Sequence, residues 1–216
     1  NSYSLYADGK IAALEFNAIS DIRVKEIKNE RNISEDLNIL KNIKTYDYTF
    51  IDKLEHHNTQ KIGFIAQEIE KLNNDFVNKS KRFIPNVYKK FHFIEKDQIQ
   101  IYHDTDIKIN DLIKIEIKIL DEYKTFNVKV IEKNNNIITI KPNYYKSAWD
   151  QFKKTQFTNI DISEEVFIYG KYVEDFLTID INQILSINTN CIKYLINKIE
   201  KNEENIILIK KKLNLK

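Results

Sequence analysis

Apolar side chains recur every seven residues along the C-terminal tail, from residue 180 to the end of the chain. One series holds the positions Leu185, Ile192, Ile199, Ile206 and Leu213, and a second, three residues further on, includes Leu195 and Ile209 but has Asn at 188 and 202. These are the a and d positions of a heptad repeat. The tail contains no Pro or Gly, so the pattern predicts one helix of about 55 Å at roughly 1.5 Å per residue.

A single helix with this stripe would expose it to water, and burial against copies of itself is the natural solution. Ile at the a positions with polar residues at two d positions disfavours a simple dimer. We interpret Asn188 and Asn202 as residues that fix register. The predicted seam between copies, in a homotrimer, consists of Leu185, Ile192, Leu195, Ile199, Ile206, Ile209 and Leu213.

A second pattern, strict alternation of apolar and polar residues, occupies the middle of the chain. Isoleucines alternate with charged residues from 113 to 119, and a similar alternation runs from 126 to 130. Further short runs at 98–102, 136–141 and 165–169 are separated by turn clusters. Such runs are typical of antiparallel strands, and together they predict a small barrel or sandwich.

The N-terminal third predicts a mixture of short elements. Asp8-Gly9 indicates a hairpin within 1–19, and Ser20-Asp21 is typical of the cap of a helix that would extend to about Ile43. Alternation predicts a strand at 46–50, then a loop with His56 and His57, and helical spacing predicts a helix from 62 to 76. The fold class is therefore α+β, with an antiparallel β module inserted before a long coiled-coil helix.

Composition excludes several classes of function. Lys plus Arg, at 34, nearly balances Asp plus Glu, at 32, so a net charge of +2 gives no electrostatic basis for binding a polyanion. The only cysteine, Cys191, excludes an intrachain disulfide framework, and no apolar run approaches the roughly 18 to 20 residues of a membrane span. The four histidines, His56, His57, His92 and His103, lack zinc-ligand spacing, and we expect neither a metal nor a cofactor.

The candidate chemistry lies in the segment Ser20-Asp21-Ile22-Arg23-Val24-Lys25. It offers a hydroxyl and an amine five residues apart, which are the two parts of a Ser/Lys nucleophile and base. Taken alone the signal is weak, because a capping Ser followed by a charged first turn is common. Spacing of five is also awkward: the two side chains lie about 140° apart on a helix and on opposite faces of a strand. The pair therefore needs a local bend or a shape imposed by a neighbouring subunit.

Three later segments follow Ser20 in a particular order: Tyr46-Asp47-Tyr48, then Gly63-Phe64-Ile65-Ala66-Gln67-Glu68-Ile69-Glu70, then Leu177-Thr178-Ile179-Asp180. Together they resemble the endosialidase-type intramolecular chaperone auto-processing domain, found at the C-termini of phage tailspikes and fibres and in myelin regulatory factor. The resemblance covers about 1–78 and 171–216. It implies an upstream passenger or stalk ending at 19, an auto-processing core at 20–78, an insert of about 90 residues at 79–170, and completion of the core and trimeric coil at 171–216.

By this resemblance the domain trimerises, helps an upstream fibre or spike to fold, and then releases itself by cutting between Ile19 and Ser20. Ser20 would be the nucleophile and Lys25 its base, with Asp21 and Arg23 in supporting roles. The partners would be two further copies and the upstream part of the same polypeptide, which we expect because Asn1 is not an initiator Met. Cutting would take place in the host cytoplasm during assembly, and the upstream product would reach a virion or surface fibre.

Two alternatives remain open at this stage. The chain could be a structural trimer that persists uncut, with Ser20 as a simple cap. It could also be a nucleic-acid- or glycan-binding β module on a coiled coil, since the insert carries basic residues at 79–90 and the aromatic residues Tyr144, Tyr145, Trp149 and Phe152. Acidic residues dilute that charge, and aromatic side chains in a small β module usually fill its core, so a structural insert is favoured.

Overall fold

The computed structural model describes residues 18–95, 97–119, 122–142 and 165–213, and these form an α+β protein. The predicted hairpin of 1–19 and the aromatic residues at 144–152 lie outside the described residues, apart from Ala18 and Ile19. In chain order the helices are α1 (Ile33–Asn42), α2 (Lys53–His56), α3 (Ala66–Leu72) and α4 (Ile181–Lys212), with 3₁₀ turns at Ile22–Val24 and Asn74–Phe76. The strands are β1 (Tyr46–Tyr48), β2 (Lys61–Gly63), β3 (Val77–Phe83), β4 (Lys89–Glu95), β5 (Gln98–Gln100), β6 (Leu112–Ile119), β7 (Glu122–Asn134), β8 (Ile137–Pro142) and β9 (Glu165–Ile179).

The chain divides into two compact units. The first holds the described parts of 1–48, 61–78 and 177–216, and the second holds Thr49–Gln60 and the described parts of 79–176. The β module therefore shares its unit with a segment from the N-terminal third, which the sequence assigned to the chaperone core.

The first unit is built around the start of α4. Ile184 and Ile187 on α4 pack with Ile69 of α3 and Phe76 to form its buried core, and Ile39 of α1 lies against this cluster. Strands β1 and β2 pair antiparallel, with Tyr46 opposite Gly63. This small core fixes α1, α3 and the first turns of α4.

The second unit is a closed antiparallel β barrel. The strand order is β3-β9-β4-β5-β8-β7-β6, and β6 pairs back onto β9, so that six strands close on themselves. The interior is filled mainly by isoleucine and valine side chains from alternate positions, as the alternation in the sequence predicts. The fully buried residues include Ile99, Ile107, Ile113, Ile115, Ile117, Val128, Val130, Ile138, Val166 and Ile168.

Gly170 is required where β9 passes under the loop before β4. Its φ of +156° is rarely adopted by residues with a side chain, and an added Cβ would lie only 1.9 Å from the carbonyl oxygen of Ile84. The register of the β6–β9 pair shifts at the same point, between Lys114 and Ile115. The glycine therefore permits the irregularity at which the barrel closes.

Asp52 fastens the segment Thr49–Gln60 within the second unit. Its buried carboxylate accepts hydrogen bonds from the Tyr88 hydroxyl at 2.9 Å and from the N–H groups of Leu54 and Glu55 at 3.1 and 3.0 Å. Burial alone would raise the pKa of Asp52, but these hydrogen bonds outweigh it and lower the pKa. A pKa that is lower in the folded protein than in the unfolded chain stabilises the fold at any pH above the unfolded-state pKa. This stabilisation is therefore present at neutral pH and is lost as the pH falls through the acidic range.

Tyr88→Phe is expected to destabilise the protein by about 1 to 3 kcal/mol, because it removes a donor from a buried carboxylate. Thermal or urea unfolding at pH 7 measures the change, which should shrink as the pH is lowered towards protonation of Asp52. Tyr123→Phe is the matched control, since Tyr123 is 69% exposed and the same hydroxyl is lost there. Equal stability of the two variants would show that Asp52 needs no donor from Tyr88.

The structure corrects several predicted elements. The predicted helix from Ser20 to Ile43 is wrong: only Ile22–Val24 and Ile33–Asn42 are helical, and Asp21 rather than Ser20 caps the first of these. The predicted helix from 62 to 76 is replaced by β2, α3 and a 3₁₀ turn. Strands β3 and β4 were missed, whereas the strand at Tyr46–Tyr48 and the long C-terminal helix are confirmed.

Candidate functional site

The segment around Ser20 owes its shape to Asp21. The Asp21 carboxylate accepts a hydrogen bond from the Arg23 backbone N–H at 2.8 Å and forms an ion pair with the Arg23 guanidinium at 2.6 Å. The side-chain hydrogen bond with Arg23 lowers the pKa of Asp21 and raises that of Arg23. An aspartate that bonds the backbone two residues ahead is a common turn device. It holds the short 3₁₀ turn at Ile22–Val24.

This turn brings the two candidate catalytic side chains together. Lys25 Nζ donates a hydrogen bond to Ser20 Oγ at 2.7 Å. Asp21 and Lys25, on either side of the turn, are extended, and the Lys25 N–H closes the turn on the carbonyl of Ile22 at 3.1 Å. The local bend that a spacing of five demands is present within one chain. The distance is within the range expected for a nucleophile and its base.

Neither residue is enclosed by the rest of the described chain. All side chains from 18 to 30 are exposed, and the apolar ones among them are unusually so: Ile19 is 86% exposed, Ile22 72%, Val24 68% and Ile27 66%. A row of exposed apolar side chains beside a reactive pair is typical of a surface that another molecule covers. The arrangement supplies contact between hydroxyl and amine, but not the dry surroundings that a lysine base requires.

A buried cluster anchors the end of this exposed segment to α4. Asp36 in α1 is fully buried, and its carboxylate accepts a hydrogen bond from Arg31 Nε at 2.7 Å and one from Asn190 Nδ2 at 2.8 Å. Burial alone would raise the pKa of Asp36, but the bonds from Arg31 and Asn190, with the guanidinium charge, outweigh it and lower the pKa. We call these three residues the Asp36 cluster. Sequence reasoning missed it, because Asn190 lies 154 positions from Asp36 in the sequence.

Two of the sequence segments that carry the resemblance also meet in the first unit. Tyr46 of β1 donates its hydroxyl hydrogen bond to the Glu68 carboxylate of α3, at 2.8 and 2.9 Å from the two oxygens. This bond is the main cause that raises the pKa of Tyr46. Glu68 is therefore a structural tie between the Tyr-Asp-Tyr strand and the following helix, rather than a solvated helix residue.

Helix α4 has two apolar faces, one of which is buried and the other exposed. One face, formed by Ile184, Ile187 and Cys191, is buried against the rest of the first unit. The predicted seam lies about 90° around the helix, at 100° per residue, and it is exposed. Its described members are between 48% and 62% exposed: Leu185, Ile192, Leu195, Ile199, Ile206, Ile209 and Leu213.

The titratable side chains of the described residues do not gather into a group of metal ligands. No group of three or more His, Cys, Asp or Glu side chains there is placed to hold a metal ion. His56 ends α2 and stacks on Phe50 at 4.0 Å, and His57 follows with a positive φ of 54°. None of the described helices is long and apolar enough to cross a membrane.

Comparison with known protein families finds a match for residues 20–78, most of which lie in the first unit. Residues 20–78 match the model of a peptidase family described as "Chaperone of endosialidase". The match begins at Ser20 and ends at the start of β3, and it covers a little over a quarter of the chain. It confirms the resemblance seen in the sequence for this segment and supports a chaperone role together with a self-cleaving peptidase activity in general. No curated protein matches the chain.

Proposed function

We propose that this chain is an intramolecular chaperone that assembles as a homotrimer, assists folding of an upstream fibre or spike segment, and releases itself by cutting between Ile19 and Ser20. The observation that carries the proposal is the 2.7 Å contact between Ser20 Oγ and Lys25 Nζ at the first residue of the segment that matches the chaperone family. Cutting takes place during assembly in the host cytoplasm, and the upstream product becomes part of a virion or surface fibre.

The chemistry requires only groups of the chain and one water molecule. Ser20 Oγ attacks the carbonyl carbon of Ile19 while neutral Lys25 takes the hydroxyl proton. The peptide C–N bond then breaks, its nitrogen receives the proton from Lys25, and Ile19 is left as an ester on Ser20. Water hydrolyses the ester, which yields a carboxylate at Ile19 and a free amine and hydroxyl at Ser20. Lys25 is regenerated, and the reaction happens once per chain.

A neighbouring copy of the chain would supply the dry surroundings that Lys25 needs in order to act as a base. Lysine is ordinarily protonated at neutral pH, with a pKa near ~10.4, and works as a base only where burial or a nearby cation favours its neutral form. Covering Ile19, Ile22, Val24 and Ile27 by another subunit would exclude water from the dyad and place backbone N–H donors near the Ile19 carbonyl oxygen. Cutting would then wait for assembly.

Assembly itself is supported by the free face of α4. The helix of 32 residues spans about 48 Å, and its heptad stripe is exposed along that length while the neighbouring face is already buried within the first unit. Ile and Leu side chains that occupy a and d positions over several heptads, and that are exposed on a single helix, become buried when copies of the helix associate as a coiled coil.

Lys25→Arg is expected to block cutting while leaving assembly intact, because a guanidinium stays charged and cannot accept the proton of Ser20. The intact mass of the purified chain shows either one species or two products, 1–19 and 20–216. Lys28→Arg, in the same exposed segment, is the matched control and should cut as the unchanged chain does. A Lys25→Arg protein that cuts at the normal rate would remove Lys25 from the mechanism.

The second candidate is a structural trimer that persists uncut. The exposure of Ser20 and Lys25 favours it, since an exposed pair lacks the desolvation that the chemistry needs. Intact mass of the freshly synthesised, unchanged chain separates the two functions. A single full-length species in a trimeric protein would establish the uncut alternative.

A further inference from the structure

We infer that the Asp36 cluster is a positioning clamp, which holds the Ser20–Lys25 dyad at a fixed place on the helix that assembles the trimer. This inference rests on the proposed function. Among the described residues, every side chain from 18 to 30 is exposed, and Arg31 is the first residue after this segment whose side chain reaches a buried group, the Asp36 carboxylate. Within the described chain, the clamp is therefore the first point after the dyad at which a side chain fastens this segment to the folded unit.

The position of the clamp on α4 suits this task. With Leu185 at a, Asn190 is at f, the position that faces away from the seam, so the clamp remains intact when copies associate. From Arg31 to Lys25 the chain spans at most about 20 Å, whereas neighbouring helices of a bundle lie about 8 to 10 Å apart. The clamped dyad is thus confined within reach of an adjacent subunit, and release at Arg31 would loosen that confinement by freeing the chain as far as the start of α1.

The chemistry of the cluster indicates that it positions the dyad segment rather than adding to the stability of the fold. Two helices such as α1 and α4 pack as stably through apolar side chains as through a buried ion pair, because the pair must repay the desolvation of both charges. What the carboxylate adds is direction: one oxygen is bonded by Arg31 and the other by Asn190. The carboxylate therefore fixes the dyad segment, α1 and α4 relative to one another.

The test measures cutting within the assembled protein. Each variant of the full chain is made by cell-free synthesis, its trimer fraction is isolated by size, and the first-order rate of cutting is followed by intact mass. Arg31→Gln should cut about tenfold to a hundredfold more slowly as a trimer, since small misplacements of reacting groups cost that much. Lys28→Gln is the matched control, because it removes the same charge from the exposed Lys28–Glu26 pair and should leave the rate unchanged.

A pair of exchanged residues provides the rescue. Asn190→Asp places a second carboxylate against Asp36 and should slow cutting in the same way. The double variant Asp36→Asn with Asn190→Asp restores one amide and one carboxylate. Its rate of cutting should therefore be higher than that of Asn190→Asp alone. A merely stabilising contact would change the melting temperature but not the rate in isolated trimers.

The outcomes separate the clamp from the proposed function. Arg31→Gln trimers that cut at the normal rate, or a double variant that recovers assembly but not rate, would overturn the clamp while cutting by the unchanged chain still stands. Complete loss of trimer in Arg31→Gln would also overturn it, since the cluster would then be part of the assembly surface. An unchanged chain that never cuts overturns the proposed function itself.

Discussion

Ser20→Ala is expected to abolish cutting at the Ile19–Ser20 bond and to leave folding and assembly unchanged. Ser20 is exposed, and its hydroxyl is bonded to Lys25 Nζ, whereas the cap of the following turn is supplied by Asp21. Loss of an exposed hydroxyl without a capping role changes stability by no more than about 0.5 kcal/mol. Loss of the nucleophile removes the reaction altogether.

The measurement is the intact mass of the purified protein, combined with its molar mass by light scattering. The expected result is a trimer of full-length chains, where the unchanged protein gives the products 1–19 and 20–216. Ser34→Ala is the control, because Ser34 is also exposed, near the start of α1, and lies outside the dyad. Products of normal mass from Ser20→Ala would exclude Ser20 as nucleophile.

The sequence predicts the candidate pair, Ser20 and Lys25, but not the way in which the two side chains meet. The spacing from Ser20 to Lys25 fits neither a regular helix nor a strand, and the bend depends on a short-range bond from Asp21 to the Arg23 N–H. Aspartate has a known preference for such bonds, so this device was within reach of sequence reasoning. The pattern at Ser20-Asp21 instead predicts a cap at Ser20 and a helix that continues through 25–32, where no apolar face supports one.

The long-range contacts of the site could not be predicted from a single sequence. The Asp36 cluster joins Arg31 and Asn190, and the Tyr46–Glu68 bond joins a strand to a helix. Each depends on which side chains become neighbours after folding. The same limit applies to α4. The seven-residue period of its exposed face is visible in the sequence. The buried face, formed by Ile184, Ile187 and Cys191, spans too few residues to show a period.

Much of the barrel, in contrast, can be predicted from the sequence. Alternating isoleucine and charged residues specify which side chains face its interior, and β6, β7 and β8 follow from that alternation. Strands β3 and β4 carry runs such as Lys79-Ser80-Lys81-Arg82, in which the charged residues hide the pattern. Pairing of β6 with β9 closes the barrel, and this choice between barrel and sandwich depends on register that the sequence does not display.

The change of both Ile199 and Ile206 to Asp is expected to convert the proposed trimer into monomers that remain uncut. The two side chains are 55% and 52% exposed in the single chain and lie outside its buried core, so the monomer should still fold. In the trimer they would form two central a layers, and burying a side chain of this size is worth about 1.5 to 3 kcal/mol for each copy. The double change places six carboxylates in the seam, where neither desolvation nor mutual repulsion is compensated.

The matched control is the double change of Ile207 and Leu208 to Asp, which adds the same charge at the b and c positions, away from the seam, where the two side chains are 64% and 55% exposed. This control should remain trimeric and should cut. Light scattering and a denaturing gel on one sample test assembly and cutting together. A seam variant that stays trimeric would refute the heptad assignment. A monomer that cuts would show instead that the exposed Ser20–Lys25 pair needs no neighbour, and that the chemistry is complete within a single chain.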